Sequence, residues 1–170
     1  MIGGPQGPPT CGVRQNDRVT QTPEPPQDHQ PTPDPGTTPE AGGPGDPTDC
    51  RAILPDLGRL ADSGRPILAI CLGHQLLALA AGARTRRLKY GHRGINHPVK
   101  DLQTGRVTIT SQNHGYVVID DSLDERIAQV SHIHLNDGSI EGLRYRDKPI
   151  ISIQYHPEGA PGPQDSEYLF

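Results

Sequence analysis

The stretch Ile67-Leu68-Ala69-Ile70-Cys71-Leu72-Gly73-His74-Gln75-Leu76 decides how this chain is read. Its first four residues form a short uninterrupted apolar run, as a strand buried in a parallel sheet would. Leu72 to Ala81 then reads as a helix rich in Leu and Ala, closed by Gly82. A cysteine between such a strand and such a helix is a nucleophile-elbow arrangement, in which the sharp turn exposes the side chain at the carboxyl edge of the sheet. The positive end of the helix dipole is expected to favour the thiolate there and lower the pKa of Cys71. Gly73 is expected to leave room for close backbone approach at the turn. A buried structural cysteine after a core strand reads the same local pattern equally well, because free Cys is often buried.

Upstream of this stretch, Ile53, Leu54, Leu57, Leu60 and Ala61 recur close to helical spacing, with Pro55 marking the start and Gly64 a stop. Downstream, strands are expected at Val107–Thr110, Tyr116–Ile119, Ile127–Ile133, Ile140–Tyr145 and Ile150–Tyr155. Asn136-Asp137-Gly138 is a turn signal between two of them. Helix, strand and helix followed by several strands predict an α/β domain over residues 42–170. Residues 1–41 are a different object. The run TPEPPQDHQPTPDPGTTPEAGGPGDP, which extends a little past that boundary, has Pro or Gly at nearly every second or third position. No helix or central strand can run through it, and too little apolar surface is available to offset the entropy of ordering it. A disordered tail is the expectation, with a polyproline ligand around PTPDP as its functional alternative.

Bulk composition narrows the partners. A chain of 170 residues has room for one ordinary domain, or a smaller domain plus a tail. Its 19 Pro, 20 Gly and 4% aromatic residues are concentrated so that only the region from residue 52 onward can build a core. The net charge of −4 is modest, and Arg84, Arg86, Arg87 and Lys89 form too narrow a basic cluster for a nucleic-acid footprint. Cys11, Cys50 and Cys71 show no metal-ligand spacing and are odd in number, which predicts free thiols in a reducing compartment. No apolar run approaches the ~18 residues of a membrane span, and the first residues lack a signal-peptide order. A cytoplasmic protein without membrane or nucleic-acid partners is expected.

A cysteine nucleophile needs a base and a group to orient that base. His156 stands out among eight histidines because it ends the apolar run Ile151-Ser152-Ile153-Gln154-Tyr155 and is followed by Pro157 and Glu158. Pro157 biases His156 toward an extended backbone, so His156 and Glu158 would share one side. The carboxylate could then hold one imidazole nitrogen and leave the other facing the thiol. A surface strand end with a chance His-Pro-Glu is the bland alternative. A metal site from His92, His97, His114, His132 and His134 is not expected, because no carboxylate or cysteine sits among them at ligand spacing.

Taken together, Cys71-Leu72-Gly73-His74-Gln75 and His156-Pro157-Glu158 resemble the two signatures of class I (triad-type) glutamine amidotransferases. Four further blocks make the chain similar to carbamoyl-phosphate synthetase small subunits in particular. They are Gly43-Pro44-Gly45-Asp46-Pro47, Tyr90-Gly91-His92-Arg93-Gly94-Ile95-Asn96-His97-Pro98-Val99, Thr110-Ser111-Gln112-Asn113-His114-Gly115-Tyr116 and Pro161-Gly162-Pro163. The resemblance implies a flavodoxin-like fold and hydrolysis of glutamine to glutamate and ammonia through a glutamyl thioester. Carried over by position, Cys71 is the nucleophile, His156 the general acid/base and Glu158 its orienting partner. The backbone of Leu72 and of Gly43 or Gly45 would form the oxyanion hole, and Gln75, Asn113, Gly115 and Tyr116 would hold the substrate. The resemblance implies no cofactor in this chain. It implies a large synthetase subunit as partner, which receives the ammonia through a tunnel and uses bicarbonate and ATP in arginine and pyrimidine biosynthesis.

Departures from the family pattern set further expectations. Ala69 stands where glycine is common, and Gly159-Ala160 replaces the usual Ala-Ser. The family's N-terminal domain, its first strand–helix–strand unit and its final helix have no counterpart here, so the chain resembles that subunit truncated at both ends. Unpaired sheet edges and marginal folding are expected in consequence. Two readings compete: another triad amidotransferase, such as those of guanylate or anthranilate synthesis, and a non-catalytic remnant that keeps the motifs.

Overall fold

The computed structural model describes residues 45–159. The expected tail, Gly43 and Pro161-Gly162-Pro163 lie outside the described residues. A 3-10 turn over Pro47–Ile53 leads into helix α1 (Leu54–Ala61), strand β1 (Ile67–Ile70) and helix α2 (Leu72–Ala80). Five strands follow: β2 (Thr85–Asp101), β3 (Val107–Val118), β4 (Ala128–His134), β5 (Ile140–Tyr145) and β6 (Ile150–Ile153). Pro55 sits in the first turn of α1, where its missing donor costs nothing. The chain leaves that helix through Gly64 at φ 71°.

All six strands form one sheet in the order β1-β6-β5-β4-β2-β3. Only β1 and β6 run parallel, with Ile70 opposite Ile153, and every other neighbour is antiparallel. The α/β expectation therefore holds as a mixed sheet, whose parallel pair carries the cysteine. Alternation along β1 turns Ala69 toward the helices and Leu68 and Ile70 to the other face. Ala69 joins Leu77, Ala78, Val118, Ile140 and Leu143 in the main core, against which Leu57 and Ala61 of α1 pack. Ile70 instead packs with Val99, Ile153 and Tyr155 in a smaller cluster.

The expected unpaired edge is found at β1: among the described residues it has β6 as its one neighbour, and Leu68 is 36% exposed. Its apolar run matches a central strand, but burial depends on what pairs with the outer edge. One expectation needs correction at β2, a 17-residue strand over a segment for which no strand was expected. Of its side chains only Leu88, His92 and Val99 are fully buried, so alternation is nearly absent from its sequence. Pairing with β3 shapes it instead, with breaks in register between Arg87 and His92 and between Gly94 and His97. The two strands expected at 107–110 and 116–119 are accordingly one, β3.

Candidate active site

Cys71 caps α2 at φ 53° and ψ −108°, a region that costs a residue with a Cβ about 1–3 kcal/mol. The neighbouring structure holds it there. Its N–H donates to the Ile153 carbonyl (2.8 Å), and its own carbonyl accepts from the Gln75 N–H (3.2 Å). The expected elbow is thus present, and the strain falls on the cysteine itself. Gly73 lies under the turn, where a Cβ would meet the Ala69 Cβ at 3.5 Å. That is an ordinary contact, so small residues pack here without Gly73 being sterically required.

The thiol is 4% exposed. Its Sγ accepts from Gln154 Nε2 at 3.7 Å, and the Leu72 backbone N–H favours the thiolate. Burial nevertheless pushes the pKa up to about 11, and the charges of Glu158 and Glu141 act in the same direction. The expectation of a lowered pKa is therefore corrected: at the end of a short helix, one amide and one side-chain donor do not outweigh desolvation. Cys71 rests as a thiol and needs a base to remove its proton.

The parallel pair brings that base to the same sheet edge. Cys71 follows Ile70 on β1, Gln154 follows Ile153 on β6, and those strand ends are in register. Two residues further on, the His156 N–H donates to the Ser111 carbonyl of β3 (2.9 Å). His156 Nδ1 lies 2.7 Å from Glu158 Oε1, so the carboxylate fixes the ring and leaves Nε2 free. The pairing is as expected, but the route is not: Pro157–Gly159 form a 3-10 turn instead of an extended run. Cys71 and His156 share no hydrogen bond among the described residues, as is common before substrate draws such groups together.

The substrate-side residues fall into two groups. Gln75 is buried, and its Nε2 donates to the Tyr116 carbonyl (2.8 Å) and to Gln154 Oε1 (2.9 Å). Its Oε1 has no partner. The Tyr116 hydroxyl lies near enough to the Asp46 carboxylate for each to perturb the other. Burial and the Asp46 charge raise the Tyr116 pKa. Asp46 in turn accepts from the N–H (2.9 Å) and hydroxyl (2.8 Å) of Thr48, bonds that hold its pKa low. Gly45 is thereby tethered beside β3, exposed and with nothing within 4 Å of where its Cβ would stand. Asn113 is exposed on β3 opposite Arg93, and Gly115 is half-buried. Gln154, Ser111 and Asp46 were given no site role from the sequence, although each touches a residue that was given one. The signals were there: Asp46 and Ser111 stand in two of the blocks that carry the resemblance, and Gln154 stands two residues before His156 on the same run.

Among the described residues no helix is long and apolar enough to cross a membrane. A mixed sheet whose carboxyl edge holds a strained cysteine beside a His–Glu pair defines the class of protein. The profile of the class-I glutamine amidotransferases matches residues 40–170, and this chain belongs to that family. Within it, the chain is 54% identical over 134 residues to the carbamoyl phosphate synthase small chain of Bacillus caldolyticus, covering 76% of this chain and 35% of that one. It is 55% identical over 130 residues to the corresponding small chain of Thermus thermophilus, covering 76% of this chain and 32% of that one. The chain thus spans about a third of the length of these curated relatives. A solved glutamine amidotransferase of Thermotoga maritima superposes with a TM-score of 0.56 at 22% identity, over 69% of this chain and 54% of that one.

Proposed function

We propose that this chain is the glutamine-hydrolysing part of a carbamoyl-phosphate synthetase small subunit. The observation that carries the reading is the strained Cys71 at a strand–helix junction, in register with the strand that ends in the His156–Glu158 pair. In the proposed reaction His156 Nε2 takes the thiol proton as Sγ attacks the side-chain amide carbon of glutamine. The Leu72 N–H receives the developing oxyanion, together with a backbone amide of the Gly43–Gly45 loop. Donors of this kind are worth about 3–4 kcal/mol. The C–N bond breaks, ammonia leaves with the proton returned from His156, and water hydrolyses the thioester to glutamate. The unpartnered Gln75 Oε1 is the acceptor for a substrate N–H. The ammonia passes to a large synthetase subunit that uses ATP and bicarbonate, and no cofactor is needed in this chain. Its compartment is the cytoplasm.

A second reading, a remnant that keeps the triad but does not turn over, is favoured by one observation: among the described residues β1 has a single neighbour and an exposed Leu68. One pair of measurements separates the two. Ammonia release from L-glutamine should be detectable and vanish in Cys71→Ser. A diazoketone analogue of glutamine should alkylate Cys71 alone, adding its mass less the dinitrogen that leaves. Labelling without turnover supports the remnant, and neither labelling nor turnover in a cooperatively folded chain rejects the amidotransferase reading.

A further inference from the structure

The histidines that looked scattered in sequence converge in space. β2 brings His92, β3 brings His114 and β5 brings Glu141 to one interior point, all three buried. One donor atom from each lies within 4.8 Å of the others. Glu141 Oε1 is 3.3 Å from His92 Nδ1 and 4.0 Å from His114 Nε2. Donors around a tetrahedral ion at bond lengths of about 2.0–2.2 Å stand roughly 3.3–3.6 Å apart, so His92 Nδ1 and Glu141 Oε1 already stand at ligand separation and His114 Nε2 has to move in to join them. His92 Nδ1 and Glu141 Oε1 face each other, both are buried, and neither has a hydrogen-bond partner other than the facing atom. The opposite atom of each ligand is already anchored. His92 Nε2 is 2.9 Å from Asp137 Oδ2, His114 Nδ1 is 2.9 Å from the Tyr116 carbonyl, and Glu141 Oε2 accepts from Gln112 Nε2 at 2.8 Å. Such outer partners orient metal-binding imidazoles and carboxylates.

The surroundings of the two rings point the same way. Each of the two imidazoles faces an acceptor oxygen at both nitrogens: Asp137 and Glu141 for His92, the Tyr116 carbonyl and Gln112 Oε1 (2.8 Å) for His114. We propose that His92 Nδ1, His114 Nε2 and Glu141 Oε1 bind one divalent transition-metal ion of the zinc type, with Gln112 Oε1 placed to complete the coordination. One such ion would face the carboxylates of Glu141 and Asp137 with opposite charge. Two imidazoles and a carboxylate are a nitrogen- and oxygen-rich set suited to zinc or iron(II). The overlapping trio of His92, His97 and His134 is the weaker host. The rings of His92 and His134 stack at 4.3 Å and 19°, which prevents their in-plane lone pairs from meeting at one ion. His97 and His134 also satisfy each other at 3.0 Å.

The test uses the full chain, stripped with a chelator and titrated with Co²⁺. The expected result is one equivalent bound with visible ligand-field bands, and an X-ray absorption spectrum of the zinc-loaded chain that counts two imidazoles. Glu141→Gln should weaken Co²⁺ binding at least tenfold, Asp137→Asn by roughly 10–100-fold, and His97→Ala should leave it unchanged. No Co²⁺ uptake by the folded wild-type chain overturns the site and leaves a shared proton between Glu141 and His92. Three imidazoles, or loss of binding in His97→Ala, overturns it in favour of the neighbouring trio. If Glu141→Gln does not fold, the imidazole count and the His97→Ala titration decide by themselves.

Discussion

The resting state of the nucleophile can be tested through the pH dependence of its alkylation. With its pKa pushed from 9.0 to about 11 by burial and by the charges of Glu158 and Glu141, Cys71 holds about a hundredfold less thiolate at pH 8 than an ordinary cysteine. A more basic thiolate is also the better nucleophile, with a Brønsted slope of about 0.4–0.5, and two pH units return roughly a factor of eight. The net expectation is alkylation about tenfold slower than at Cys71 in the unfolded chain, before any steric hindrance is counted. Steric hindrance lowers the whole profile without moving its inflexion, so the shape is decisive. Rates of iodoacetamide labelling, read at each cysteine by mass spectrometry from pH 7 to 10.5, should rise tenfold per pH unit with no plateau. In the unfolded chain the same residue should level off above pH 9. Glu158→Gln should shift the folded profile to lower pH, because one of the charges that raise the pKa is gone. A plateau at or below pH 9 in the folded chain would refute a desolvated thiol and restore a helix-stabilised thiolate. The linked stability has the corresponding sign. A thiol whose pKa is higher when folded contributes fully below pH 9, and that contribution is lost as pH rises toward 11. The loss is of order 2–3 kcal/mol at most.

Three further outcomes follow from single contacts. Gln154→Leu removes the side-chain donor to Cys71 Sγ and the acceptor of Gln75 Nε2. It should raise the Cys71 pKa further and cost about 1–3 kcal/mol in a urea titration; an unchanged alkylation profile would show that the 3.7 Å contact does not act on the thiol. Asn113→Ala, at an exposed position, should raise the diazoketone concentration needed for half-maximal labelling while iodoacetamide still reacts. Loss of both reactions together would make that segment structural. Leu143→Ala, at a fully buried core position on β5, should cost about 2–5 kcal/mol, and a cost below 1 kcal/mol would place the core elsewhere.

How much of this was legible in the sequence depends on the distance over which each feature is determined. The elbow is local: four apolar residues, a cysteine and a helix fix its own turn, and the structure returns it at the same positions. The His156–Glu158 pairing is local as well, although a 3-10 turn delivers it where an extended backbone was expected. β2 is the opposite case, because its residues take up a strand through pairing with β3 and β4, and neither partner can be read from Thr85–Asp101 itself. The thiol's pKa was misjudged for a related reason. Helix position is visible in sequence, but burial of Cys71 and the approach of Glu141 depend on how the six strands are ordered. Glu141 stands 27 residues past His114 and 49 past His92, so no ligand spacing could have connected them.

Polar groups in this interior are concentrated, and that concentration links the two sites. From Cys71 Sγ, hydrogen bonds run through Gln154 to Gln75 and on to the Tyr116 carbonyl. They continue through His114 to Gln112 and Glu141. Burying so many donors and acceptors is favourable only when each finds a partner, because each one left alone costs about 1–3 kcal/mol. Along this chain the bonds are nearly all made, so the exceptions are informative. Gln75 Oε1 is left beside the nucleophile, and His92 Nδ1 and Glu141 Oε1 are left at the far end. An orphan beside the nucleophile is explained by a substrate that donates to it, and the facing pair by a cation that accepts from both. β3 carries the exposed Asn113 and the buried His114 side by side, pointing to opposite faces of the strand. Whatever occupies the interior point therefore bears directly on the segment expected to hold glutamine. Occupying one orphan should change the affinity at the other, and by linkage the effect must be reciprocal.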